Sequence, residues 1–209
     1  AYSGQFQCWK RQTNFNQLND TVVALCGLSK NTKCNQLFER NFTNKIINQI
    51  NMEAKQIKAY GTGASTQPLQ EMKIERRATT PHDVEIEILF CGICHSDLHQ
   101  VKNDFGGAIY PIVPGHEIVG RVTAVGNHVT KFKVGDLAGV GCIVDTCRTC
   151  NPCKDGFEQF CEEGMTFSFN SIDKTYGGHT FGGYSESIIT NKKYVLTIPK
   201  TLDLASAAP

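Results

Sequence analysis

The clearest pattern in the chain is an alternation of apolar and polar positions in HDVEIEILF, residues 82–90. Val84, Ile86 and Ile88 fall on one face and Glu85 and Glu87 on the other, which predicts a half-buried strand. Residues 117–141, EIVGRVTAVGNHVTKFKVGDLAGVG, read as several short strands broken by glycine, with Gly135-Asp136 as a turn. YSESIIT (184–190) and KYVLTIP (193–199) read as two more. Short strands punctuated by glycine predict a mainly β domain, a compact barrel or sandwich. No internal repeat is present.

This regular text begins at Met52. Residues 1–51 are crowded with Asn and Gln, as in NFNQLND and NKIINQIN, and contain no proline. Their only periodic stretch is a short helical one over residues 37–50. Polar, amide-rich text of this kind buries too little apolar surface to offset the entropy of ordering. The expected organisation is therefore an N-terminal extension over 1–51, disordered or translated upstream sequence, and one folded domain over 52–209.

Composition narrows the classes. The chain has 209 residues and a formal net charge of +1, so no global field draws it to nucleic acid or to a membrane surface. No apolar run approaches the ~18 residues of a membrane helix, and the first residues lack the order of a signal peptide. Ten cysteines are many for this length. In a reducing compartment clustered thiols point to metal rather than disulfides, so the expected location is the cytoplasm. Two Asn-x-Thr triplets, at Asn19 and Asn41, point the other way, but such triplets arise by chance in Asn-rich text.

Four of the thiols lie in CRTCNPCKDGFEQFC, spaced Cys147-x2-Cys150-x2-Cys153-x7-Cys161. Thiolates so placed can wrap a tetrahedral cation, and zinc in a shell of four cysteines has no open position for a substrate. The site is expected to be structural. It would replace a core that the loop lacks, since Arg148, Asn151, Lys154 and Asp155 are poor candidates for burial. Disulfides or inert thiols are the alternatives. An iron–sulfur cluster is the sharper rival, but its bacterial run has a shorter last gap followed by proline, where this chain has seven residues and then Glu162. Nucleic-acid binding by the loop is weak, because Arg148 and Lys154 are outweighed by Asp155, Glu158, Glu162 and Glu163.

A reacting centre must then lie elsewhere. CGICHSDLHQ supplies Cys94, His95, Ser96, Asp97 and His99, and PGHEIVG supplies His116 and Glu117. One thiolate, one imidazole and nearby carboxylates form an incomplete zinc shell, and a catalytic zinc keeps a position open. A lone Cys and a lone His are ordinarily packing and surface, and only the whole motif overrides that reading.

From Met52 to Pro209 the sequence resembles the zinc-dependent medium-chain alcohol dehydrogenases, within them the branch of cinnamyl alcohol dehydrogenases and bacterial broad-range aldehyde reductases. The stretches that carry the resemblance are CGICHSDLHQVKNDFG, YPIVPGHEIVGRVTAVG, KVGDLAGVG, CRTCNPCKDGFEQFC and FGGYSES. The run from Gly115-His116-Glu117 through Gly120 and Gly126 to Val129 fits the family's zinc signature. The first 51 residues match nothing in it.

The resemblance implies a GroES-like barrel as catalytic domain, two zincs per chain, and NADP(H)-linked interconversion of aldehydes and primary alcohols by a homodimer. It implies that Cys94 and His116 ligate the catalytic zinc, with Glu117 as a substitute ligand, and that Asp97 bonds the far nitrogen of His116. Ser96 would contact the substrate oxygen, and His99 and Asp104 would continue a proton path to solvent. Phe105, Cys142 and Phe167 would line the substrate pocket, on slighter grounds. His95 has a weaker case for any role.

The chain also departs from the family. TLDLASAAP ends it where a further zinc-binding Cys and a Rossmann cofactor domain would follow, and no G-x-G-x-x-G occurs in it. The expectation is a fragment of a longer reductase, without cofactor-binding residues and inactive by itself. The alternative is a non-catalytic zinc-binding barrel that works, if at all, through a partner.

Overall fold

The computed structural model describes residues 54–209. The expectations for residues 1–51, for a helix over 37–50 and for Met52 as a natural start lie outside the described residues.

The domain is built from short antiparallel strands. Strands β1 (Lys55–Gly61) and β2 (Gln70–Arg76) form a hairpin. Strands β3 (Asp83–Cys91), β4 (Ile118–Val125), β5 (Leu137–Val140), β8 (Ser187–Asn191) and β9 (Leu196–Thr197) form a five-stranded sheet in the order β8-β3-β4-β5-β9. β6 (Ile143–Asp145) pairs with β7 (Thr166–Phe167). An isolated bridge from Ala59 to Ser185 joins the hairpin to the lead-in of β8. Every named strand pair among the described residues is antiparallel, so they hold no doubly wound cofactor sheet. The helices are α1 (His95–Lys102), α2 (Asn151–Lys154) and α3 (Leu204–Ala207). None is long and apolar enough to cross a membrane.

The alternating residues do make the core. Val84 and Ile86 of β3 are fully buried and pack with Ile118, Val122, Ala138 and Ile188 from the neighbouring strands. A smaller cluster of Ile57, Ile74 and Val113, with Phe181 and Tyr184 against it, packs the hairpin onto the loop segments around residues 113 and 181–184. Two sequence expectations change. Glu85, placed opposite the apolar face, is only 6 % exposed. The hairpin covers that side of β3, and Lys55 of β1 supplies a counter-charge 2.9 Å from Glu85 Oε1, which compensates a carboxylate taken out of water. Gly120 does not break a strand but lies inside the eight residues of β4. A Cβ there would stand 2.1 Å from the Glu87 carbonyl oxygen, so the glycine lets β3 and β4 approach at an irregular point of their register.

Arg76 at the end of β2 is a second organiser. Its buried guanidinium donates from Nε to the Ser187 carbonyl (2.9 Å), from Nη1 to that of Phe181 (2.7 Å) and from Nη2 to that of Gly182 (3.0 Å). Burial, and then the Arg77 charge, lower its pKa to about 9. The interaction fixes the 181–187 segment, which carries Tyr184. Gly120→Ala is expected to cost about 1–3 kcal/mol, as overpacked sites do, read as a lower denaturant midpoint at unchanged slope.

Candidate metal centres

The loop over residues 91–94 turns into helix α1, and that turn builds the first centre. Cys94 is the N-cap, with extended backbone, and Asp97 stands at the third helical position. Asp97 Oδ2 accepts the Cys94 backbone N–H at 3.0 Å, the reciprocal arrangement of a capping box. The Asp97 side chain is 2 % exposed. Oδ2 also accepts the Tyr184 hydroxyl at 3.0 Å. Oδ1 accepts the Gly115 N–H at 3.1 Å and lies 3.2 Å from His116 Nδ1. An Nδ1–H donating to this carboxylate leaves the Nε2 lone pair of His116 available to a cation.

The segment Pro114–Glu117 brings the other donors. Its path is fixed by pairing with residues 182–184: Gly183 N–H donates to the Gly115 carbonyl (2.9 Å) and Tyr184 N–H to that of Pro114 (2.9 Å). Gly115 has φ +107, and a Cβ on it would meet Tyr184, Gly183 and Cys91 within 2.9 Å; only glycine suits the site. One donor atom each from Cys94, His116 and Glu117 lies within 4.8 Å of the others. This donor set fits a borderline cation with a position left open. Ser96 Oγ donates to Cys94 Sγ at 3.1 Å. One turn on, His99 Nδ1 lies 2.8 Å from Asp104 Oδ2, both partly exposed. His95 reaches only the His99 ring, 4.8 Å between centroids.

The three pocket candidates scatter. Cys142 lies close enough for the Cys94 and Glu117 charges to raise its thiol pKa, after burial as the larger cause. Phe105 is 64 % exposed and packs on His99 with centroids 4.9 Å apart. Phe167, on β7, is 43 % exposed. The aromatic ring stacked on His116 is instead Phe169, at 5.9 Å and 17°, and it is buried. Phe169 and Tyr184 were missed because each comes from a distant loop. A Tyr after two glycines in FGGYSES was the available signal for Tyr184. Cys91, beneath the centre, has its thiol pushed up to about 12 by burial and stays protonated.

The second centre gathers Cys147, Cys150, Cys153 and Cys161, whose sulfurs all lie within 4.8 Å of one another. Arg148, inside the first Cys-x2-Cys, adopts φ +63, and Asp145 holds it at 2.8 Å. That turn aims the N–H groups of Thr149 and Cys150 at Cys147 Sγ, at 3.5 and 3.3 Å, and they lower its pKa to about 6. At neutral pH the folded loop thus holds a ready thiolate. Four sulfurs fill a tetrahedral shell, so this donor set fits a structural zinc.

With this geometry established, comparison with known proteins places the chain. The family model for the alcohol dehydrogenase GroES-like domain matches residues 80–200. The chain belongs to this family. It is 53 % identical over 154 residues to the aldehyde reductase YahK of Escherichia coli K12, covering 73 % of the chain and 44 % of the relative. Over 141 residues it is 52 % identical to a probable cinnamyl alcohol dehydrogenase of Oryza sativa, covering 68 % and 38 %. Among solved structures, a cinnamyl alcohol dehydrogenase from Helicobacter pylori, complexed with NADP(H), superposes with a TM-score of 0.72 at 38 % identity, covering 74 % of this chain and 45 % of that one. One from Sorghum bicolor gives 0.71 at 42 %, covering 74 % and 44 %. This dehydrogenase-family chain thus spans less than half the length of these relatives.

Two variants separate the centres. Cys150→Ser is expected to lose one zinc per chain and to lower the melting temperature, because metal binding there is coupled to folding of the loop; elemental analysis and calorimetry read both. In Gly92→Ala the new Cβ would stand 1.9 Å from Glu117 Oε2. The carboxylate is expected to swing away and weaken only the Cys94 centre, by about tenfold or more, seen in the visible spectrum of the Co2+-substituted chain.

Proposed function

We propose that this chain holds the substrate end of an NADP(H)-dependent oxidoreductase that interconverts small aldehydes and primary alcohols, with one catalytic and one structural zinc per chain. The observation that carries this reading is the open three-donor centre of Cys94, His116 and Glu117, backed by a carboxylate that orients the imidazole. The names of the relatives support it: an aldehyde reductase and NADP-dependent alcohol dehydrogenases.

Zinc held by Cys94, His116 and Glu117 would supply Lewis acidity toward a carbonyl or alcohol oxygen, and NADP(H) would supply or take the hydride. The chain's own residues handle the rest. Asp97 keeps His116 in the tautomer that frees Nε2. Ser96, beside the Cys94 sulfur, has a hydroxyl that both donates and accepts, so it suits proton passage in either direction. His99 lies one turn further along α1, with Asp104 at its Nδ1. The half-exposed His99–Asp104 pair delivers that proton to solvent. Cys142, near Cys94 and Glu117, and Phe105, packed on His99, border the approach.

The four-cysteine centre braces its loop and takes no part in turnover. Clustered free thiols suit a reducing compartment, and we place the protein in the cytoplasm. Its partners are small-molecule substrates rather than nucleic acid or membrane, and the full enzyme works as a homodimer.

Residues 54–209 grafted in place of the corresponding part of the Escherichia coli relative are expected to give a protein that oxidises NADPH in the presence of an aldehyde. Cys94→Ser in that graft is expected to fold and to fall to background. Undiminished turnover in Cys94→Ser overturns the assignment, and an inactive but folded, zinc-loaded graft favours a non-catalytic barrel.

A further inference from the structure

At the end of β3 opposite the Cys94 centre, two exposed histidines face each other. His82 precedes β3 and His128 follows β4. His128 Nδ1 lies 3.1 Å from His82 Nε2, with ring centroids 4.7 Å apart. Their backbones are locked together. The His128 N–H donates to the Pro81 carbonyl at 2.8 Å, Gly126 N–H donates to that of Asp83 at 2.8 Å, and Lys192 N–H donates to that of His82 at 2.9 Å. Gly126 is pressed against this turn so closely that a Cβ would stand 2.3 Å from the Pro81 carbonyl oxygen. The imidazoles thus stand on a rigid platform, while the rings themselves remain exposed and free to tilt.

We propose that His82 and His128 form a two-histidine chelate for a borderline divalent cation of the Zn2+, Ni2+ or Cu2+ class. Two imidazole nitrogens at about 2.0–2.1 Å from one ion, at square or tetrahedral angles, lie roughly 2.8–3.4 Å apart, and this pair, at 3.1 Å, already has such a separation. Without metal, one ring must carry the proton shared between the nitrogens. An ion takes the place of that proton, which moves through solvent to the far nitrogen of the same ring, and engages both lone pairs, with solvent completing its shell. Imidazole suits these ions and not Mg2+ or Ca2+. Two features moderate affinity. The Lys192 ammonium bonds the His128 carbonyl oxygen, and the neighbouring Asp83 carboxylate is turned to Arg77 and the Thr80 N–H. The site is therefore weaker than the four-thiol centre and fills only at raised metal concentration. When filled, it staples the β2–β3 turn to the β4–β5 turn.

The test is a Zn2+ titration of the purified chain, already saturated at its tighter sites, followed through the imidazole C2–H resonances by 1H–13C NMR. His82 and His128 are expected to shift together with one added ion per chain. His82→Gln and His128→Gln, substitutions of exposed side chains, should each weaken that step by about tenfold or more, since either alone removes the chelate. Mg2+ should leave the resonances in place. Independent shifts of the two rings, or unchanged Zn2+ affinity in both variants, would overturn the proposal. Because the readout is specific to His82 and His128, it does not depend on whether the Cys94 centre is catalytic.

Discussion

One buried carboxylate holds the first centre together. Asp97 receives two backbone N–H groups, one tyrosine hydroxyl and one imidazole nitrogen, so each acceptor oxygen has two partners. In a buried site an ionised group without such partners is costly, and the demand for four donors fixes what surrounds it. It caps helix α1 and thereby sets Cys94. It holds Gly115 and thereby the turn into His116 and Glu117. Tyr184 reaches it only because Arg76 and the pairing of residues 182–184 with 113–115 fix the glycine-rich segment. The Tyr184 hydroxyl in turn resists ionisation, through burial first and then the Asp97 charge.

The two centres solve opposite problems. The Asp97 region sits against a packed sheet, where apolar burial of β3 and β4 does most of the ordering, and its donors can be left open toward a ligand. The lobe over 147–161 has few apolar residues to bury: Phe157 and Phe160 are 54 % and 67 % exposed. Its order rests on sulfur, on N–H groups aimed at Cys147, and on the Asp145–Arg148 contact. Cys153, the buried member, also lies 3.3 Å from the Thr146 hydroxyl, and Thr146 is 2.6 Å from the Tyr194 hydroxyl, which ties the lobe back to the sheet.

Local text carried much of this. The period-two pattern of Val84, Ile86 and Ile88 marked the central strand, and the Cys spacing marked the sulfur cluster, because each is a short-range signal. Glu85 was misplaced because alternation assumes one wet face, whereas β1 covers that face and brings Lys55. Helix α1 escaped notice because its capping pair is Cys94 and Asp97 rather than a serine or threonine with a glutamate. The contacts of Phe169 with His116 and of Tyr184 with Asp97 were not legible, even though FGGYSES marked Tyr184 itself, because both cross more than fifty positions of chain, and side-chain pattern alone does not report which loops meet.

The most direct test of this account is the zinc content of the chain and of Asp97→Asn, by native mass spectrometry after exchange has removed weakly held ions. The account predicts two zincs in the parent chain and one in the variant. The substituted amide would keep the volume of the carboxylate but lose its charge and one pair of acceptor sites, which releases His116. Equal zinc content in parent and variant would contradict it.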